Sequence, residues 1–481
     1  MNVTSGPAPP GLFDAVFARE PATGGDGRAA GPVAGDQAWL RSLLAAEAGL
    51  ARAAERAGLV PAGAGAAVTR VADPAQFGPA ELAELARATM LTGNPVPGLA
   101  RVLARKVAGA DPAAVPAVHF GATSQDIMDT AAMLLARDAL GAAAADLTAA
   151  ADAAAGLAAS HRRTLMLGRT LLQQAVPVTF GLVAAGWLAG LDSAVDGLGL
   201  VRDTRLAVQF GGAAGTLASL GPDGARVRSL MAGELGLADP PLPWHTERLR
   251  VIDVAVAAAR GCAALSKIAR DVTLLTQTEV GEVAEGGGAG GPGGDGTAPR
   301  RGGSSAMPNK SNPVAAVAIL GCARQAPGLL ATLVACAEQE YQRAAGAWHA
   351  EWQPYSQLLT LAVSAATWAR ELLSNLQVDH ARMGANLAGA GGLPLAERVT
   401  TLLGDSLGPA RAHDLVAAAA TRSAASGVPF RDALLASPEI EDRLSRAGIG
   451  SAQLEEALDP AGYLGAADDF IDAALSAHRA R

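Results

Sequence analysis

Arg301-Gly-Gly-Ser-Ser-Ala-Met-Pro-Asn-Lys-Ser-Asn-Pro313 is the stretch on which the reading of this chain turns. It follows a glycine-rich run, Gly286 to Gly296, and ends where an apolar, alanine-rich segment from Val314 predicts a helix. Asn312 suits the N-cap and Pro313 the first helical position. A loop of this kind brings two hydroxyls (Ser304, Ser305), a cation (Lys310) and an amide (Asn312) to a helix N-terminus. Unpaired N–H groups and the helix dipole favour an anion there. The pattern points to a small carboxylate-bearing molecule, with the hydroxyls as proton carriers once water is excluded. Taken alone, Gly-Gly-Ser-Ser reads as a linker.

The rest of the chain constrains what such a loop serves. Half of the 481 residues are hydrophobic but only 4% are aromatic, so the core is built from Ala, Leu and Val. Alanine and leucine without β-branched runs predict helices, and no strand-like alternation of useful length is visible. Lys plus Arg is 38 against 46 Asp plus Glu, a net charge of −8 with no basic block, which argues against nucleic acid as a partner. Cys262, Cys322 and Cys336 are far apart in apolar sequence and read as buried free thiols of a reducing compartment. No cysteine or histidine spacing suggests a metal site. The N-terminus does not read as a signal peptide and no run reads as a membrane span, so the expectation is a cytoplasmic protein.

In chain order, a Gly/Pro-rich start gives way at Asp36 to a helix with Trp39, Leu40, Leu43, Leu44 and Glu47 at helical spacing. Residues 1–112 read as a first domain. A second polar cluster follows, His119-Phe-Gly-Ala-Thr123-Ser124-Gln125-Asp126, in which Thr123 and Asp126 look like a cap opening a helix from Ile127. An ordinary cap explains that cluster by itself, and His119 fits either catalysis or local packing. Gly168-Arg-Thr170-Leu171-Leu-Gln173-Gln-Ala-Val-Pro177 reads as a polar turn, with Pro177 at a helix start or kink and a long helix from Phe180 to Val208. Further long helices are expected over Val251 to Glu282, Val314 to about Tyr341 with a kink at Pro327, and about Ser356 to Leu376. Long helices with short connectors predict a bundle over 113–376, interrupted by the loop 284–313, with a third helical domain over 377–481.

Three strings in this order resemble the fumarase/aspartase superfamily. Gly303 to Pro313 matches its signature loop, Gly-Ser-Ser-x-Met-Pro-x-Lys-x-Asn-Pro, at every fixed position. Gly168 to Pro177 is similar to the Gly-Arg-Thr-His-x-Gln-x-Ala-x-Pro of fumarases, argininosuccinate lyases and adenylosuccinate lyases, except that Leu171 stands where those carry histidine. The Thr123-Ser124 region corresponds to a carboxylate-binding segment. Within the superfamily the chain most resembles the bacterial 3-carboxy-cis,cis-muconate cycloisomerases, on His119 to Asp126, Gly168 to Ala175, Pro243-Trp-His-Thr-Glu-Arg248 and Ala347-Trp-His-Ala-Glu-Trp352.

The resemblance implies an all-α, three-domain fold with a long central helical bundle, a homotetramer with active sites shared between subunits, and neither cofactor nor metal. It implies a small tricarboxylate substrate. Ser304 would transfer the proton, and Lys310 and Asn312 would stabilise enolate-like charge. Thr123, Ser124, Gln125, Thr170, Gln173, Ser305, Met307 and His119 would bind substrate. Arg300 and Arg301 would draw the loop towards a trianion. The missing histidine agrees with a cyclisation, in which the nucleophile is an already ionised carboxylate tethered to its target. Two competitors stand beside it: an adenylosuccinate-type carbon–nitrogen lyase, and an inactive structural relative of the kind found among lens crystallins.

Overall fold

The computed structural model describes residues 11–21, 33–286, 302–303, 307, 310–446 and 451–481. In chain order the elements are α1 (Asp14–Phe17), α2 (Asp36–Arg56), α3 (Ala64–Val71), α4 (Pro79–Thr92), α5 (Val96–Ala110), α6 (Ser124–Ser160), β1 (Leu165–Thr170), β2 (Gln173–Thr179), α7 (Phe180–Thr204), α8 (Gly224–Leu235), α9 (Leu249–Leu275), β3 (Val283–Glu285), α10 (Val314–Ala335), α11 (Ala347–Ser374) and β4 (Leu376–Val378), followed by shorter helices to Arg479. Among the described residues the fold is all-α apart from two small antiparallel ribbons, β1–β2 and β3–β4. It divides into two compact units, one of Met1–Thr148, Ser193–Ser266 and Ala318–Arg370, the other of Ala149–Asp192, Lys267–Val317 and Glu371–Arg481. The long helices α6, α7, α9, α10 and α11 each supply a stretch to both.

In the first unit, α2 turns Leu40, Leu43, Leu44 and Leu50 inward. Burying each leucine contributes about 1.5–3 kcal/mol. Alanine between them lets helices approach closely. At Gly49 even a Cβ would lie 2.6 Å from the Leu235 side chain of α8. The polar edge of the same packing is pinned by Glu234, which accepts from Arg52 and Arg56 at 2.7 Å each.

In the second unit, Phe180 stacks edge-on against His161 and Trp187, with centroids 5.5 and 5.6 Å apart. The Trp187 Nε1 donates to Asp271 at 2.7 Å. Towards the C-terminus, Val399, Leu403, Val416, Phe430 and Leu434 form a separate apolar cluster.

The hairpin β1–β2 replaces the expected polar turn. Leu165 pairs with Thr179, Leu167 with Pro177 and Thr170 with Gln173, with a bulge between Leu167 and Arg169. Pro177 opens no helix: it lies in β2, where a two-stranded ribbon leaves an outer edge that needs no N–H donor. At Gly168 a Cβ would meet the Val176 carbonyl at 2.5 Å, so the bulge needs glycine. Several helix limits also differ from the sequence reading. α9 stops at Leu275 and α10 at Ala335, while α11 begins at Ala347, ahead of Pro354. By length and composition α10 is the one described helix able to cross a bilayer, yet Ala316, Ile319 and Cys322 on it are fully buried in protein.

Candidate active site

The start of α6 gathers His119, Thr123, Ser124 and Gln125 in the first unit. The cap there is built by Asp126, which accepts the Thr123 N–H at 3.0 Å. Asp126 does more than cap. It is fully buried and also accepts the Gly211 and Gly212 N–H groups at 2.9 Å each, while its Oδ1 lies 2.7 Å from His245 Nε2. Gln125 is buried as well: its Nε2 donates to the His245 carbonyl at 2.7 Å and to Asp129 at 3.1 Å, and its Oε1 accepts from Arg343 at 2.9 Å. Thr123, Ser124 and His119 remain partly exposed.

Behind Gln125 lies a buried ionic network. Arg248 donates to Asp129 at 2.8 and 3.0 Å and to Glu351 at 3.0 and 2.6 Å. Trp348 Nε1 adds a bond to Asp129, and Gln339 one to Glu351. Burial alone would weaken the Arg248 charge, but Asp129 and Glu351 outweigh it and hold the guanidinium protonated more firmly than usual. Burial is also the dominant influence on Glu351, and it leaves that carboxyl above the usual range despite Arg248. This network fixes the first turns of α6 from below.

His119 has a partner of its own. Glu47 of α2 is fully buried; its Oε2 accepts the His119 N–H at 2.9 Å and its Oε1 lies 2.7 Å from the ring Nδ1. His119 adopts φ 55°, a left-handed backbone that is costly for a residue with a Cβ. Glu47 escaped the sequence reading as a site residue because it sits at helical spacing among leucines. That placement, a carboxylate on a buried face, was the available signal.

In the second unit, Thr170 and Gln173 face each other at the end of the hairpin ladder and are exposed. Between them Leu171 and Leu172 form a two-residue turn with φ 52° and 65°, and they are 96% and 69% exposed. Such turns ordinarily use Asn-Gly, because both positions need positive φ. Next to this turn Arg169 ties the hairpin down: it donates to the buried Glu282 at 2.9 and 2.7 Å, and Asn386 adds a bond to Glu282 at 2.8 Å.

Ser304 and Ser305 lie outside the described residues, as do Arg300 and Arg301. Met307 and Lys310 are exposed, with the Lys310 N–H donating to the Met307 carbonyl at 3.0 Å. Asn312 does not cap α10 with its side chain. Its Nδ2 and its N–H both donate to the Gly302 carbonyl, at 3.0 and 2.9 Å. The first turn of α10 is instead capped by Glu285, whose carboxylate accepts the Ala315 and Ala316 N–H groups at 2.9 and 2.8 Å. An internal carboxylate thus takes the helix end that looked open to a ligand. Among the described residues no group of three His, Cys, Asp or Glu side chains is arranged to hold a metal. Burial pushes the thiols of Cys262 and Cys322 up to about 12 and about 11, too high for ready reaction.

Residues 34–328 match the family described as lyase, and residues 392–474 match the adenylosuccinate lyase C-terminus family. The chain is 45% identical over 448 residues to a nitrosuccinate lyase of Streptomyces davaonensis, covering 92% of this chain and 90% of that one. It is 42% identical over 440 residues to a 3-carboxy-cis,cis-muconate cycloisomerase of Bradyrhizobium diazoefficiens, covering 92% and 94%. The crystal structure of a 3-carboxy-cis,cis-muconate lactonizing enzyme from Pseudomonas putida superposes with a TM-score of 0.85 at 37% identity, covering 98% of this chain and 99% of that one. With its three motifs, its helical architecture and these matches, the chain belongs to the lyase family of the fumarase/aspartase superfamily.

Proposed function

We propose that the chain is an isomerase that lactonises 3-carboxy-cis,cis-muconate in aromatic catabolism. The observation that carries the reading is Leu171: an apolar side chain occupies the exposed, strained hairpin tip where fumarases, argininosuccinate lyases and adenylosuccinate lyases carry an imidazole. The similarity to cycloisomerases along almost the whole chain supports it. In the reaction one substrate carboxylate oxygen adds to a carbon–carbon double bond. The π electrons move to the carbon beside a second carboxylate, and a proton is delivered there. The nucleophile is tethered and needs no base. The protein supplies the proton, assigned to Ser304, and cationic stabilisation of the enolate-like charge, assigned to Lys310 with Asn312. Asn312 also holds Gly302, so its contribution includes placing the loop end. Thr123, Ser124, Gln125, His119, Thr170, Gln173, Ser305 and Met307 bind the remaining carboxylates and the diene.

The assembly in this reading is a homotetramer whose sites combine residues of different subunits. Exposed apolar residues on the long helices, Leu200, Val256, Val317 and Val334, support it. The domains are 1–112, 113–376 and 377–481, the compartment is the cytoplasm, and no nucleic acid or cofactor is required.

A second reading is favoured by the 45% identity to a nitrosuccinate lyase. Loss of nitrite from a nitrosuccinate also dispenses with the histidine, because nitrite leaves as a stable anion without protonation. There Ser304 would remove a proton beside a carboxylate, and the carbon–nitrogen bond would break with its electron pair going to nitrite. One experiment separates the readings. The purified protein is given 3-carboxy-cis,cis-muconate, nitrosuccinate and adenylosuccinate in parallel, following loss of diene absorbance, release of nitrite and release of AMP. Rapid loss of diene absorbance alone is expected; nitrite release as the fast reaction would replace the cycloisomerase reading with the second.

A further inference from the structure

A carboxylate buried in an apolar helix face is costly unless its oxygens are satisfied. Glu47 has no exposed surface and lies one turn from Leu43, Leu44 and Leu50, all buried. Both of its oxygens go to a single residue, His119, one to the backbone N–H at 2.9 Å and one to the ring at 2.7 Å. That grip holds His119 in a left-handed conformation, φ 55°, two residues before Gly121 at φ 67°. A side chain serving only to fill space would not need its backbone and its ring fastened by the same carboxylate. The ring is fastened through Nδ1, and Nε2 has no hydrogen-bond partner among the described residues. A quarter of the His119 side chain is exposed, at 24%. It precedes Thr123 and Ser124 by one turn of chain.

We propose that Glu47 is a positioning residue of the active site: it orients His119 so that Nε2 is a fixed hydrogen-bond donor to a carboxylate of the substrate. The inference rests on the reading of the substrate as a small polycarboxylate.

The charges around the ring agree with that role. Glu47 faces it from α2 and Asp126 from α6. Asp126 is shared with His245 and with the Gly211 and Gly212 N–H groups, and Arg343 lies beyond it, bonded to Gln125 and to the Gly212 carbonyl. Burial pulls the His119 imidazolium towards losing its proton. The hydrogen bond and charge of Glu47, with Asp126 further off, outweigh burial and hold the ring above the ordinary histidine range. An imidazolium bonded to Glu47 through Nδ1 must present N–H at Nε2. A neutral ring would present it only in one tautomer.

The test uses the full chain with Glu47→Gln and Glu47→Asp. Ring titrations are followed by NMR, with His119 assigned by comparison with His119→Gln, and kcat/KM for 3-carboxy-cis,cis-muconate is measured against pH. In the unmodified protein His119 titrates above the ordinary histidine value, and kcat/KM falls on the alkaline side as that proton is lost. Glu47→Gln moves both transitions down by about one pH unit or more, raising KM more than it lowers kcat. Glu47→Asp recovers part of the shift. A lowered melting temperature with both transitions unmoved would mean that Glu47 only supports the turn, and would overturn the proposal. If Glu47→Gln does not fold, the unmodified protein still decides the matter, because titration of His119 at or below the ordinary value also overturns it. The titration needs no turnover. Adding tricarballylate as a non-reacting tricarboxylate should shift the His119 resonance, and no shift counts against the proposal whatever reaction the enzyme catalyses.

Discussion

Replacing Arg248 by methionine tests how the start of α6 is held. The side chain is 2% exposed, and its guanidinium satisfies two carboxylates at once, Asp129 at 2.8 and 3.0 Å and Glu351 at 3.0 and 2.6 Å. Methionine has a comparable volume, so little of the loss comes from a cavity. What remains is two buried anions with no cation between them. Removing one partner of a buried pair costs about 3–5 kcal/mol, and sharing the cation places this case towards the upper end. For a cooperative unit somewhat larger than 250 residues, at about 2 °C per kcal/mol, that is a fall in Tm of roughly 6–10 °C. The loss should depend on pH. Glu351 already binds its proton above the usual range, chiefly through burial, and without Arg248 it binds still more readily. A carboxyl whose folded pKa lies above its unfolded one costs stability at high pH, and the cost disappears as pH falls through the folded value. Melts at about pH 8 and about pH 5 should therefore show the larger deficit at the higher pH. Arg248→Lys should recover little, because a single ammonium cannot replace a fork that serves two carboxylates. A deficit below about 1 kcal/mol, or one independent of pH, would refute the account and leave the network as an ordinary surface-like pair.

Lys310→Ala should weaken binding and slow catalysis together, by roughly 2–4 kcal/mol in kcat/KM, since it removes a cation beside charge that grows in the transition state; an effect on KM alone would mean uniform binding. Changing the strained tip to Leu171→Asn with Leu172→Gly should relieve about 1–3 kcal/mol at each position and raise Tm while lowering turnover; undiminished activity would show that neither leucine serves the site. Subunits carrying Ser304→Ala mixed with subunits carrying Gln173→Ala should regain activity after reassembly, because some shared sites are then intact in both residues, whereas no recovery from verified hybrids would remove the shared-site reading. His478, one nitrogen 3.0 Å from Asp192 and the other 3.0 Å from Asp152, holds its proton above the ordinary range: burial opposes this but the two carboxylates outweigh it. Its contribution to holding the C-terminal helix is full below the unfolded histidine pKa and is lost as pH rises through the folded value. Protection of the Ala467–Arg479 amides, taken relative to the intrinsic base-catalysed exchange rate at each pH, should fall with rising pH, and His478→Gln should abolish that fall.

Local chemistry was legible without coordinates wherever the cause was local. Alanine and leucine at helical spacing announced α2, and Thr123 with Asp126 announced the start of α6, because caps and amphipathic faces are written within a few residues. The signature loop and the leucine at 171 pointed to the family and, within it, away from histidine-assisted elimination. What adjacency could not contain came from the tertiary structure. Gln173 to Thr179 lacks alternation and holds a proline, and it becomes a strand only because β1 lies alongside. The anion at the head of α10 is Glu285, from a strand about thirty residues away, rather than a ligand. Glu47 looked like one more position on a core helix until its carboxylate was found seventy-two residues from its partner, gripping His119. A hydrogen bond or buried charge is decided by which groups the fold brings within about 3 Å, and for residues far apart in the chain that distance is a property of the packed whole.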